Sequence, residues 1–494
     1  MPAVRRSFQF SHWSFMFAEI AVWSFVVLLV TGAMLMLFYD PGMSQVTYDG
    51  SYGPLRGLLV SQAFDSTMHL SLEVRGGLLI RQMHHWAALV FVAAVVLQLL
   101  RMFLTGVFRR PRVRQWLIWV ALLALGMFAG ETGNALPDDM LSGGSLWLIM
   151  SVVQSIPVVG TWVMSLLFGS GFPGDTVIPV MYGGHLLLAA VMGVLLIARE
   201  LLVRRHGHSR FVASLPARRS ARPLMAVATI GMLIILGFGF QIAPIWLYGP
   251  ARPTQISAGS VPDWYMGFLD GALRIMPGWE LTLGNYTLSL AVLVPTVVVP
   301  GVFFTALAAY PLAERFLLAR RGRRDALGRP GSARRDALGR PASTRRDALS
   351  KPESRRRDAL GRPGSTSRVA RGTPARDLLD RPRDTPVKTA IAAAGITFYG
   401  LLWAAAANDQ FAHQFQLTVN AVTIFFRYAV VIGPVVAFVV TRWICLALQH
   451  SDRDVAEHGM ETGIITRSPD GGFHERMAPV RQERDRHREL SPSA

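Results

Sequence analysis

A chain of 494 residues of which 51% are hydrophobic, 10% aromatic and only 17% charged is too apolar for an ordinary soluble enzyme of its size, and reads as an integral membrane protein. A formal charge of +18 would suggest nucleic acid to a soluble chain, but the excess arginine is confined to a few hydrophilic stretches and no nucleic-acid partner is expected. The single cysteine, Cys445, excludes an internal disulfide framework and a cysteine-ligated zinc or iron–sulfur site within the chain, so any metal chemistry must use histidine.

Runs long enough to cross a hydrocarbon core of about 30 Å, which takes roughly 20 helical residues, lie near 15–37, 82–104, 116–133, 178–198, 225–245, 288–310, 388–408 and 420–447. The sequence therefore predicts an all-α integral membrane protein with eight transmembrane helices. The first run ends in Leu37-Phe38-Tyr39-Asp40-Pro41 without a small-residue cleavage site, so it is read as a retained span and not a signal peptide. With eight spans both termini share one side. The amino terminus and the second-to-third and fourth-to-fifth connections, flanks included, carry 14 arginines, from Arg5 to Arg222. The opposite connections carry five: Arg56, Arg75, Arg81, Arg252 and Arg274. Basic residues stay inside, which makes this a multi-pass plasma-membrane protein with both termini cytoplasmic.

Between about 315 and 387 the composition changes. Arg-Asp-Ala-Leu-Gly-Arg-Pro recurs at Arg324, Arg335 and, varied, at Arg346 and Arg357, with a looser copy from Arg376 to Pro382. Its glycines and prolines prevent a continued helix and its apolar content does not offset ordering entropy, so an expanded cytoplasmic loop is expected; a tether for anionic lipid or nucleic acid is the functional alternative. The tail after 448 is likewise polar.

Of the histidines, only His84, His85 and His185 lie in or at the edge of the spans, where ionisable groups are costly enough to suggest function. His84 and His185 sit near the outer ends of the second and fourth helices and so lie at the same depth. Two neutral imidazoles facing each other make axial ligands for haem iron, and bis-histidine ligation leaves no open position, which suits electron transfer. His85 points about 100° away around its helix and is read as a polar edge residue.

Several stretches together carry a resemblance: His12-Trp13-Ser14-Phe15, Glu73 to Trp86 (with Arg81-Gln82-Met83-His84-His85-Trp86), Leu136-Pro137-Asp138-Asp139, Pro157 to Trp162, Pro262-Asp263-Trp264-Tyr265 and Arg381-Pro382-Arg383-Asp384. With them the chain resembles the cytochrome b subunit of quinol:cytochrome c reductases, in its actinobacterial form, over nearly its whole length apart from the arginine repeat. The resemblance implies a four-helix bundle, residues 1–222, holding two stacked haems. It also implies helices five and six with an outer quinol-site loop over 223–314 and two further helices over 388–447; the repeat loop over 315–387 and a cytoplasmic tail over 448–494, read from composition, complete the organisation. His84 and His185 match the axial ligands of the outer haem, Gly32 and Gly133 the glycines that let a porphyrin approach the backbone, and Arg81 a propionate partner. Pro262-Asp263-Trp264-Tyr265 is similar to the loop at the outer quinol site, where Asp263 is the candidate proton acceptor with Tyr265 beside it. The stretch around Gly160-Thr161 resembles the site's other wall. Trp264 and Tyr265 also suit anchoring at the headgroup level. A Rieske iron–sulfur subunit, a cytochrome c subunit and a homodimer complete the implied complex.

The inner haem does not carry over. Its ligand should lie 14 residues after His84, because 14 steps of about 100° return to the same face some ~21 Å along, and that position is Gln98. The matching positions after His185 are Arg199 and Glu200, and those 14 before Gly32 and Gly133 are Ala18 and Trp119. One haem b is therefore expected, with Gln98, Arg101, Arg199 and Glu200 forming a polar cluster in place of the second. An alternative from another class is a non-catalytic paralogue kept as a structural or assembly subunit. A transporter is disfavoured, since no pair of broken helices is symmetrically spaced.

Overall fold

The computed structural model describes residues 16–109, 111–169, 174–206, 222–252, 254–255, 262–284, 286–327, 380–458, 460–467 and 473–478. The stretch His12 to Phe15 and the repeats at Arg335, Arg346 and Arg357 lie outside the described residues. Eight helices in the described residues are long and apolar enough to span a membrane. They are α1 (Met16–Leu35), α3 (Gly77–Thr105), α4 (Val113–Ala135), α7 (Val177–His206), α8 (Arg222–Gly239), α12 (Val299–Leu327), α13 (Pro386–Ala405) and α15 (Val419–His458). Shorter helices fill the connections: α2 (Gln62–Leu72), α5 (Met140–Gln154), α6 (Gly160–Phe168), α9 (Ile245–Tyr248), α10 (Gly267–Ile275), α11 (Leu290–Leu293) and α14 (Asn408–Gln414).

Three antiparallel hairpins accompany the helices, pairing β1 (Gln45–Thr47) with β2 (Leu59–Ser61), β3 (Glu280–Leu283) with β4 (Tyr286–Ser289), and β5 (Met460–Arg467) with β6 (Phe473–Ala478). The all-α class holds, and the last hairpin puts regular structure into a tail that composition alone left featureless.

Several boundaries differ from those expected. α3 begins at Gly77, a turn and a half before the apolar run, because Gly76 supplies the left-handed conformation (φ 76°) that lets the chain enter the helix from a sharp bend. α12 continues into the first repeat, to Leu327, well past the apolar run that ends near 310. Upstream, a π-helical turn at Val294–Val298 containing Pro295 joins it to α11, which accommodates a proline that an α-helical interior would resist.

α1 packs along α3 and α4 along α7, while α8 lies against both α1 and α3. The central core runs between them from Ala18 and Phe25 through Phe91 and Val95 to Trp116, Trp119, Met192 and Leu196. α13 and α15 form a second pair, and α10 packs against α13 so tightly that a Cβ on Gly271 would stand 1.7 Å from the Leu402 carbonyl oxygen. The two helix groups are tied at the end remote from the histidines. There Arg109 pairs with Glu314 of α12 at 2.7 Å and with Asp380 at 2.8 Å, and Lys388 of α13 reaches Asp380 at 2.5 Å. Arg109→Ala would leave two half-buried carboxylates facing one lysine. It is expected to cost on the order of 2 kcal/mol, read as a lower thermal unfolding midpoint of the detergent-solubilised protein with its visible spectrum intact.

Candidate functional site

α3 carries the second span's histidines two turns inside the helix. His84 faces α1 and α7, and His85 faces the turn after Pro262. The His84 and His185 rings stand with their centroids 6.2 Å apart and their planes inclined by 55°. On the far side of each ring a hydrogen bond fixes the tautomer. His185 Nδ1 donates to the Ala129 carbonyl at 2.9 Å, with Thr132 Oγ1 at 3.3 Å. His84 Nδ1 meets Thr31 Oγ1 at 2.9 Å, and since the Thr31 hydroxyl is spent on the Val27 carbonyl at 2.7 Å, the imidazole is the donor there too. Both Nε2 lone pairs are thereby left for a ligand.

The next residue after each threonine is glycine. A Cβ at Gly32 would stand 3.2 Å from His84 Cε1, and one at Gly133 would stand 2.8 Å from His185 Cε1. Both glycines thus make room for the imidazoles themselves, a closer function than the porphyrin clearance that the resemblance implies. Gly133→Val would push the His185 ring off its carbonyl, and most of any haem should be lost, as haem per polypeptide would register.

The histidines open on one cavity of about 470 Å³. Gly32, Arg81, His84, His85, Gly133, His185, Asp263 and Tyr265 all line it, with Asn134 and Asp139 at the same end. Pro262, Trp264, Gly160 and Thr161 do not. Gly160 instead packs against the end of α5, where its Cβ would stand 2.4 Å from the Val153 carbonyl, and Thr161 is exposed beside Trp162. Trp264 stacks edge-on to Tyr265, and its carbonyl accepts from Tyr399 of α13 at 3.1 Å, so it supports the loop from behind.

A bis-histidine haem fits this frame. With a metal–nitrogen bond of about 2 Å and roughly 1.1 Å from each nitrogen to its ring centre, two ligating imidazoles need centroids about 6 Å apart, which is the observed spacing. Arg81 lines the same cavity: one terminal nitrogen donates to the Ala243 carbonyl at 2.7 Å, while its Nε is buried without a protein partner. Gln82 exchanges two hydrogen bonds with Ile242, at 2.9 and 2.8 Å, so this face of α3 satisfies the irregular chain after α8.

Asp263 is held from two sides. His85 Nε2 lies 3.1 Å from both carboxylate oxygens and the Tyr265 hydroxyl donates to Oδ2 at 3.0 Å. Burial opposes ionisation of Asp263, but the bonds from His85 and Tyr265 outweigh it and hold the carboxyl below its ordinary value. Burial, with Asp263 and Glu131 close by, pushes the Tyr265 hydroxyl well up, so it remains a donor. His85 is therefore no edge residue. Its direction away from His84 aims it at a loop some 180 residues later, a distance no periodicity reveals. Glu131 was also missed; it is buried on α4 and accepts from the Ser145 hydroxyl. A readable signal did exist in Thr31-Gly32 and Thr132-Gly133, each threonine lying 53 residues before its histidine. Gly130, one turn earlier, admits the Tyr265 hydroxyl against the α4 backbone.

Behind Asp263, Leu136-Pro137-Asp138-Asp139 closes the cavity. Asp139 caps α5 by accepting from the Ser142 N–H at 2.9 Å. Asp138, at φ 50°, accepts from Ser61 at 2.5 Å, and burial against that bond leaves its carboxyl pushed up to about 6.

The opposite end of the bundle is filled. Trp119 is 1% exposed and the Arg199 guanidinium lies over its ring at 5.5 Å, so the residues at a family glycine and a family ligand position are stacked on each other. Arg199 and Glu200 of the polar cluster expected there do pair, and Arg222 and Glu19 join them. Glu200 takes Arg222 at 2.9 Å and Arg199 at 3.3 Å, and Arg222 also reaches Glu19 at 3.0 Å. Gln98 stays buried with its Oε1 unpartnered.

The fold and the cavity define a membrane-spanning helical bundle with a paired-histidine centre near one end. Residues 89–250 match the family model described as cytochrome b (N-terminal)/b6/petB. The chain is 40% identical over 485 residues to the cytochrome bc1 complex cytochrome b subunit of Streptomyces coelicolor, covering 96% of this chain and 79% of that one. It is 41% identical to the subunit so named in Mycobacterium tuberculosis, over 95% of this chain and 79% of the relative. The chain belongs to the family of cytochrome b subunits of actinobacterial cytochrome bc1 complexes. A solved hyperthermophilic respiratory complex III chain shares the fold at a TM-score of 0.56, with 14% identity over 89% of this chain and 94% of that one.

Proposed function

We propose that this chain is the cytochrome b subunit of a quinol:cytochrome c reductase-type respiratory complex, oxidising quinol at the outer face of the plasma membrane. The observation that carries the reading is the convergence of His84, His185, Asp263 and Tyr265 on one cavity. In this reading both termini are cytoplasmic. The names of the relatives support assembly into a bc1-type complex; the partners proposed there are a Rieske iron–sulfur protein, a cytochrome c and a second copy of the chain.

His84 and His185 would hold a haem b between their Nε2 atoms, where it would supply a one-electron acceptor. Quinol oxidation releases two electrons and two protons. The Rieske partner would accept one of the electrons, and the group held by His84 and His185 would be the acceptor for the other. Asp263, ionised and facing the cavity, takes a proton from the ring hydroxyl. Tyr265 stays protonated and keeps that carboxylate in place, while Arg81 offers its buried Nε to an anionic group on the bound cofactor.

One haem per chain, not two, accords with the Trp119–Arg199 stack and with Ala18 and Gln98 at the other two positions. The complete histidine end favours a redox role over a purely structural one. Optical spectra of the membrane complex after addition of a short-chain quinol test this. Reduction of a b-type band is the expected result. No such band would overturn the assignment, and a band reduced by dithionite but not by quinol would instead favour the non-catalytic paralogue.

A further inference from the structure

The Asp263 carboxylate is unusual in having both oxygens engaged by the protein while it still lines the cavity. His85 Nε2 sits 3.1 Å from each oxygen, and the two side chains are 19% and 17% exposed. A carboxylate on a short turn between Pro262 and α10 has several rotamers open to it. One donor placed equidistant from both oxygens, with the Tyr265 hydroxyl on one of them, selects a single orientation. His85 comes from α3, the helix that also carries His84, so the donor is rigidly placed relative to the paired imidazoles.

We propose that His85 is a positioning residue for quinol oxidation, its Nε2–H fixing the Asp263 carboxylate toward the substrate ring while His84, one residue earlier, faces the redox centre. The inference rests on the quinol-oxidising reading above. The groups facing Asp263 are His85 from α3, Tyr265 on its own turn and, within electrostatic reach, Glu131 from α4. Only His85 and Tyr265 donate to it. The role requires a donor at position 85, not an imidazole, which makes it separable from any general loss of structure.

The test uses the intact complex with a short-chain quinol, comparing wild type, His85→Leu, His85→Gln, Asp263→Asn and the double variant His85→Leu/Asp263→Asn, each with its b-type band recorded first. His85→Leu should lower kcat about tenfold with a smaller change in KM, and move the acid limb of the pH profile to higher pH, because the carboxylate has lost a donor. His85→Gln keeps an N–H and should recover most of the rate. In the double-mutant cycle, leucine at 85 should cost little once Asp263 is gone. If leucine costs the haem band, His85→Met takes its place in the cycle. A His85→Leu enzyme with wild-type rate and profile, a glutamine variant as impaired as leucine, or additive effects in the cycle would each overturn the positioning role. A wild-type complex whose b-type band quinol does not reduce would overturn the underlying reading instead.

Discussion

Purified in mild detergent, the chain is expected to bind one b-type haem per polypeptide, and His84→Ala or His185→Ala is expected to remove it. Either substitution deletes one of two axial donors in a site where both are held in a single tautomer and orientation. His185 is fixed by the Ala129 carbonyl and His84 by Thr31, and Gly133 and Gly32 lie against the two rings. The two variants should therefore behave alike, although they alter different helices. Thr31→Val leaves both donors in place but takes the acceptor from His84 Nδ1. It should keep the haem while changing its reduction potential, because outer hydrogen bonds set the basicity of a ligating imidazole. Pyridine haemochrome analysis gives the count. Two haems in the wild type would mean that the packed end of the bundle opens around a second cofactor, and the one-haem reading would fail.

Asp263→Asn is expected to lower quinol turnover about 100-fold, within the range assigned to a positioned proton acceptor, with the haem band unchanged. The amide is nearly isosteric but has one acceptor oxygen where the carboxylate has two. It cannot serve His85 and Tyr265 as the carboxylate does, and it cannot take a proton at neutral pH. KM should move much less than kcat, since the substituted group acts on the proton and not on the bulk of the ring. The sign of the pH dependence follows from the same contacts. Turnover needs the ionised form, which His85 and Tyr265 hold below the ordinary carboxylate value, so wild-type activity should persist into mildly acidic solution and fall only as pH drops through that lowered value. Steady-state assays from neutral pH down through the ordinary carboxylate range read both effects.

The spans were legible in the sequence because a hydrocarbon slab demands an uninterrupted apolar run, and all eight lie where such runs fall. Helix ends were less legible. α12 runs on into the arginine repeat as far as Leu327, over Arg-Asp-Ala-Leu, which has reasonable helical propensity. The histidine pair followed from matched depth alone. What escaped was everything set by long-range contact: His85 reaching Asp263, Tyr265 settling on Gly130, and Arg222 uniting Glu19 with Glu200. Gly160 and Thr161 show the converse. A stretch that resembles the wall of the family's outer quinol site opens α6, yet neither residue lines the cavity.

The stacking of Arg199 on Trp119 has an electrical consequence. Moving one elementary charge across a membrane involves about 2.3 kcal/mol per 100 mV, and a redox chain that spans the bilayer is slowed by the potential it builds. On the proposed reading, with a single haem held by His84 and His185 toward the outer face, the electron path would cross almost none of that field. Turnover in energised vesicles would then continue at the same pace after an uncoupler collapses the voltage.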